Sequence, residues 1–311
     1  MQASTSDDQF MEMVRAFGCS GTAKKLGINA RTVFRRRASL EQRKKVSIER
    51  ADLGVGKKEY PHRATLEVQD GVVIVAGDSH YWPGPASIMH KAVVAFCKEF
   101  KPRAIVFNGD VIDAPSASRH PPIGWEELPK LSDEIEAAID RLHEIEKAAG
   151  RVEKLWNLGN HDTRFESRLA LVAPEYARVK GVALVDHFPN WRHVLATWIN
   201  NEIVIKHRFK GGLHAPHNNT LWAGKTMITG HLHSARVVPM TDYNGTRYGV
   251  DTGCIADMDH KAFVNYTEDN PLNWRSAFLM LTFKGGQLLM PELVFKWDDG
   301  SVQFRGKVIK V

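Results

Sequence analysis

The chain is 311 residues long with 43% hydrophobic and 25% charged side chains, a globular composition that excludes disordered, collagen-like and coiled-coil classes. The formal charge of +6 arises wholly in residues 1–50, which hold 11 Lys/Arg against 5 Asp/Glu, whereas all 14 histidines lie beyond them. Apolar runs such as Val72–Ala76 are far short of the roughly 20 residues that cross a bilayer, and the polar Met1–Asp8 is no signal peptide. Three scattered cysteines, Cys19, Cys97 and Cys254, offer no disulfide framework, so a soluble cytoplasmic protein is expected.

In chain order, Phe10, Met13, Val14 and Phe17 recur at helical spacing until Gly18 ends the segment. Ser20 opens a second helix through Leu26, Gly27 supplies a turn, and Asn29 caps a third through about Arg43, with Val33 and Leu40 turned inward. Ala23 suits a close helix crossing, Gly27 a positive φ, and Val33 a plug between the helices. This segment, Gly21 to Arg37, resembles the helix-turn-helix of bacterial regulators and phage DNA-binding domains over about 40 residues. The resemblance implies DNA as a partner, with Asn29, Arg31 and Thr32 near base edges and Arg35, Arg36 and Arg37 near phosphates. A solvated basic helix is the plainer alternative. The expected division is residues 1–46 as this small all-α domain, 47–66 as a linker, and 67–311 as the second domain.

The second domain repeats one pattern. An apolar strand runs into a ligand-type residue in Val72–Ala76 then Gly77-Asp78-Ser79-His80, and in Ala104–Phe107 then Asn108-Gly109-Asp110-Val111-Ile112-Asp113. It recurs in Val152–Asn157 then Leu158-Gly159-Asn160-His161-Asp162, in Glu202–Lys206 then His207, and in Met227–Thr229 then Gly230-His231-Leu232-His233. Amphipathic helices over Ile88–Phe100 and Leu128–Ala149 separate the first three strands, which gives a βαβαβ series and a mostly parallel sheet. Strand carboxyl ends in such sheets converge on one rim, where ligands bind. Alternating strands over Ala277–Phe283 and Leu288–Phe295, joined at Lys284-Gly285-Gly286-Gln287, are expected to build a second sheet. Trp274, Trp297 and the other tryptophans are expected to pack in the core or at its rim.

These ordered blocks, D-x-H, G-D-x-x-D, G-N-H-D, H and G-H-x-H, resemble those of the calcineurin-like metallophosphoesterase superfamily across roughly residues 70–260. The resemblance implies an α/β fold: a layered β-sandwich flanked by helices with a dinuclear metal site. It implies a phosphodiesterase or nuclease of phage or prophage type, acting in a host cytoplasm. Asp78, His80 and His233 would hold one divalent cation, Asn160, His207 and His231 a second, and Asp110 would bridge them. Manganese is the first expectation, with Fe, Zn or Ni as alternatives. His161 would donate a hydrogen bond or proton to the leaving oxygen, and Asp113 would fix its tautomer or serve only as a helix cap. His214 and His217 compete with His207 for the fourth block, and His120 and His217 are candidates for touching substrate. Asp113 is followed by Ala-Pro-Ser and His161 by Asp162, which departs from the protein-phosphatase branch. Two rival functions remain: hydrolysis of a small phosphoester or cyclic nucleotide with a basic head that only localises the enzyme, and a non-enzymatic DNA-binding regulator with a structural metal. Oligomeric state is open, a homodimer being one option.

Overall fold

The computed structural model describes residues 5–48, 59–119, 127–260, 263, 264, 267 and 270–311. The chain divides into two compact units, Met1–Lys57 and Lys58–Val311. No described helix is long and apolar enough to cross a membrane.

In the first unit, α1 (Asp7–Leu26) begins with a reciprocal cap: Ser6 Oγ accepts from the Gln9 N–H, and the Gln9 side chain accepts from the Ser6 N–H. Gly18, at φ 66°, breaks α1 into two helical segments, and Gly27 closes it at φ 65°. α2 (Ala30–Lys44) starts at Asn29, whose Oδ1 accepts from the Arg31 N–H at 2.8 Å. Phe10, Val14, Cys19, Ala23, Val33 and Leu40 form the core, and Ile48 joins it. Ile48, which falls within the expected linker of residues 47–66, is fully buried in this unit.

The second unit contains β1 (Ala64–Leu66), β2 (Gly71–Ala76), α3 (Ile88–Phe100), β3 (Ala104–Phe107), α4 (Leu131–Ala149), β4 (Glu153–Asn157) and α5 (Arg164–Val172). There follow β5 (Arg192–Val194), β6 (Thr197–Ile199), β7 (Ile203–Ile205), α6 (Ala215–Ala223), β8 (Thr226–Thr229), β9 (Arg236–Asp242) and β10 (Gly245–Asp251). The chain ends with β11 (Ala277–Lys284), β12 (Gln287–Leu288), β13 (Glu292–Asp298), β14 (Ser301–Phe304) and β15 (Lys307–Lys310).

One sheet runs β15-β14-β13-β11-β2-β3-β4-β5, with β12 paired to β11 and β2 to β5 mutually parallel. The other runs β1-β6-β7-β8-β10-β9. Along β11 the side chains alternate between two apolar clusters. Phe278 and Met280 join α3 and α4 on one face of the first sheet, while Leu279 and Leu281 meet Ile199, Ile203, Ile205, Ile228 and Val250 from the second sheet. The result is helices, sheet and sheet in layers.

Two expectations are corrected here. β11 and β13 do not form the second sheet: β11 pairs antiparallel with β2, because both of its faces are apolar and only a central position buries both. The second sheet is instead built from β1 and β6 to β10, so the five ligand-bearing strands are shared between two sheets rather than one. β1, placed in the expected linker, pairs parallel with β6.

Candidate metal centre

The carboxyl ends of β2, β3 and β4 in one sheet and of β7 and β8 in the other deliver Asp78 and His80, Asp110, Asn160 and His161, His207, and His231 and His233. The backbone there is unusual. Asp78, His80, Asp110, His231 and His233 all have φ between 41° and 72°, a region that side-chain-bearing residues rarely occupy and that costs about 1–3 kcal/mol each. The surrounding sheets impose these conformations, which turn side chains from successive strands towards one another.

Glycines make room for that convergence. A Cβ on Gly159 would lie 2.1 Å from Asp110 Oδ1, and one on Gly230 would lie 2.4 Å from Asp78 Oδ2. Gly109, at φ 85°, packs its Cα face against the His207 ring.

Among the described residues, three sets of ligand atoms lie close enough to share a cation: Asp78, His80 and His233; Asp110, His207 and His231; and His80, Asp113 and His161. Within the first, Asp78 Oδ1 is 3.0 Å from His233 Nε2, and both carboxylate oxygens accept from the His231 N–H. In the second, Asp110 Oδ2 lies 3.0 Å from His207 Nε2, which is also 3.2 Å from Asn160 Oδ1. His207 Nδ1 donates to the Asn108 carbonyl at 2.8 Å, leaving Nε2 turned to the cluster. Asp110 also touches the third set: its Oδ1 accepts from the His161 N–H at 2.8 Å.

Burial opposes the charge on these groups, and opposite charges overcome it. Asp110 is held well below the usual carboxylate range by His207, His161 and His80, and Asp78 is lowered by His233 and His207. Against the same burial, Asp110 and Asp78 push His207 up to about 10. His231 is lowered by burial and by the neighbouring His207. Among the described residues, His80 Nε2 and His233 Nδ1 are buried without a hydrogen-bond partner. Deprotonated carboxylates, inward imidazole nitrogens and two orphaned ring atoms are the donor set a divalent transition metal takes, so these residues fit an ion.

His161 stands at the margin. Its Nδ1 meets Asp113 Oδ1 at 2.5 Å, and its Nε2 is 3.8 Å from Asp110 Oδ2. Burial lowers its pKa, but Asp113 and Asp110 raise it on balance. His80 Nδ1 shares the Asp113 oxygen at 3.3 Å, so the carboxylate holds two imidazoles rather than capping a helix.

Two residues escaped the sequence reading. Asp162 accepts from the backbone N–H groups of Asp110, Val111, Ile112 and Gly159 and from Trp156 Nε1, which fixes the loop that presents Asp110. Arg164 donates to the Asp113 carbonyl at 2.9 Å and to His161 Nε2 at 3.1 Å, placing a guanidinium at the rim. Asp162 carried its signal within the Gly-Asn-His-Asp block, whereas a lone arginine opening a helix carries none.

His214 and His217 lie exposed at the start of α6, outside the three sets. His120 falls outside the described residues. In the first unit, Arg31, Thr32 and Arg35 are exposed, whereas Arg36 donates to Asp7 at 2.8 Å and Arg37 to Glu41 at 3.0 Å. Trp222 and Trp297 are exposed at 68% and 60%, against the expectation of core or rim packing.

No family model matches the chain. It is similar to the Gene 54 protein of Mycobacterium phage D29, 28% identical over 224 residues that cover 66% of this chain and 86% of that protein. It is likewise similar to the Gene 54 protein of Mycobacterium phage L5, 26% identical over 230 residues with the same coverage of each. The chain thus has distant relatives among mycobacteriophage proteins.

Proposed function

We propose that the chain is a calcineurin-like, two-metal phosphoesterase that cleaves phosphodiester bonds in DNA and is held to duplex by its N-terminal helix-turn-helix unit. The observation that carries this reading is the adjacency of the Asp78 and Asp110 sets to His161, which belongs to neither, with Asp110 reaching His207 and the His161 backbone at once. Two divalent cations, Mn first among them, would supply Lewis acidity and an ionised water at neutral pH. Asp78, His80 and His233 would hold one, Asn160, His207 and His231 the other, and Asp110 would face both.

The protein's own groups do the rest. Asp113 accepts from Nδ1 and so fixes the His161 tautomer, leaving Nε2 turned to the rim. The Asp113 carboxylate on Nδ1 would stabilise the imidazolium form, from which Nε2 would give a proton to the leaving oxygen once Arg164 has turned to the phosphate. Arg164, now on Nε2, is the cation that an incoming phosphate oxygen would draw to itself.

One observation favours a second reading. Arg36, Arg37, Arg43 and Lys44 are paired with Asp7, Glu41 and Asp8, which fits a head that localises the enzyme rather than one that grips duplex. The test is turnover with Mn of bis-p-nitrophenyl phosphate, p-nitrophenyl phosphate and end-labelled DNA. Diester and DNA cleavage would uphold the first reading, and hydrolysis of the small esters alone the second. No hydrolysis of any of them would sink both.

A further inference from the structure

Between Glu202 and Asp242 the chain has no acidic residue, yet it carries Lys206, Arg208, Lys210, Lys225 and Arg236. The stretch begins at the metal rim, since Lys206 and Arg208 flank His207. Aromatic rings interleave with these cations on the exposed surface. Lys206 Nζ lies 5.4 Å from the Phe209 ring centroid, and Lys210 Nζ 3.6 Å above that of Trp222. Farther along, beside Val204 of β7, Arg63 lies 4.5 Å from the ring of Trp198. The loop is held firmly: Asn219, buried in α6, accepts from the Lys210 N–H and donates to its carbonyl, and Arg236 donates to the Leu213 carbonyl.

Apolar burial does not explain why the loop holds Phe209, and α6 holds Trp222, in water at 46% and 68% exposure. Each ring has a cation parked over it. A phosphate would draw the ammonium off the ring and free its face for a flat, stacking group. Cations that track a backbone, alternating with aromatic faces, suit a strand whose bases are unpaired. A duplex keeps its base faces stacked inside and offers none to these rings.

We propose that the Lys206–Trp222 surface binds single-stranded nucleic acid and leads it to the metal rim, so that the substrate of the proposed phosphodiesterase is an unpaired strand. This rests on the phosphoesterase reading only for what happens at the rim; the binding surface stands on its own observations. The full chain, in EDTA to prevent cleavage, is titrated into fluorescein-labelled dT20 and into a dT20·dA20 duplex, with anisotropy read. Trp222→Ala should weaken dT20 binding about tenfold or more, Trp222→Phe by much less, and neither should alter duplex binding. Lys210→Gln should weaken dT20 binding and flatten its salt dependence.

Undiminished dT20 affinity in Trp222→Ala, or no affinity in the parent, would overturn the proposal. An equal loss on duplex would overturn the single-strand assignment in favour of duplex docking. Hydrolysis of bis-p-nitrophenyl phosphate by the parent is scored separately. A Trp222-dependent strand site without hydrolysis defeats only the phosphoesterase reading, and hydrolysis without the strand site defeats only this one.

Discussion

The first unit and the metal rim of the second both concentrate charge, but they keep it in opposite conditions. On α1 and α2 the charged groups stand in water: Lys44 meets Asp8 with the Asp8 side chain 82% exposed, and Arg43 meets Asp7 with the Arg43 side chain 63% exposed. At the rim, Asp110 and His207 face each other with 2% exposure on each side chain. Water and salt screen the first kind of pair, so it contributes little and can be exchanged for another partner. The second kind is screened hardly at all, and breaking it leaves an unpaired buried charge. Net charge by itself is therefore a poor guide: Arg36, Arg37, Arg43 and Lys44 of the first unit already meet its own acids in water, whereas the balanced second unit carries the harder electrostatics.

Four changes would break or sharpen that contrast. The largest effect is expected at Asp110, which touches the imidazole of one set and the backbone of the residue after Asn160. Asp110→Asn should lose bound metal and nearly all diesterase activity while Mn is present in excess. Metal analysis and turnover on one preparation check this, and full occupancy with normal rate would refute the shared role. His161→Ala, which removes a group outside the Asp78 and Asp110 sets, should keep the metal of those two sets and slow DNA cleavage by about 10²–10⁴-fold. The loss on bis-p-nitrophenyl phosphate should be smaller, because nitrophenolate leaves without a proton.

Glu134 on α4 tests burial without metal. It is fully buried, accepts from the Ala114 N–H at 2.7 Å, and has its other oxygen without a partner among the described residues. Burial, with Asp113 nearby, pushes its pKa from 4.5 up to about 8. The unfolded acid ionises first, so folding stability should fall as pH rises from about 4.5 to about 8, and the penalty is complete above that. Glu134→Gln should lack this loss and gain on the parent by an amount that grows between pH 5 and pH 9 in denaturant melts. A constant difference across that range would show that Glu134 does not titrate there.

The smallest effect is expected in the first unit. Asp7 has its pKa lowered chiefly by its bond from Arg36, so its contribution is present at neutral pH and is lost only as pH falls through the acid range. Asp7→Asn should barely move the melting transition at pH 7. By releasing Arg36 and Arg43 it should steepen the salt dependence of duplex binding by about one to two phosphate contacts. An unchanged slope would leave those arginines without a role on DNA.

Much of this was legible in the chain because the signals were local. β2, α3, β3 and α4 show their periods plainly, and a strand ending on a ligand residue picked His207 rather than His214 or His217 for the cluster. β11 was misplaced for a physical reason. Alternation tells which side chains share a face, but not whether the other face is covered, and Phe278 and Leu279 turn out to be buried on opposite sides. β1 has three residues and no period to detect. Arg164, Glu134 and the paired state of Arg36 depend on partners 20 to 51 positions away, a separation that composition and spacing do not encode.

The glycines that precede Asp78, Asp110, Asn160 and His231 also limit how this protein can change over time. A surface loop can accept most substitutions, but at Gly159 and Gly230 the added carbon would fall inside the carboxylates of Asp110 and Asp78. No neighbouring replacement makes room, because the obstructing atoms are the carboxylates of the candidate metal centre themselves. A lineage that keeps these carboxylates in place keeps these two absences of a side chain. They form a mutational floor set by sterics, and in a diverged genome the pattern of missing carbons should outlast most of the charged residues around it.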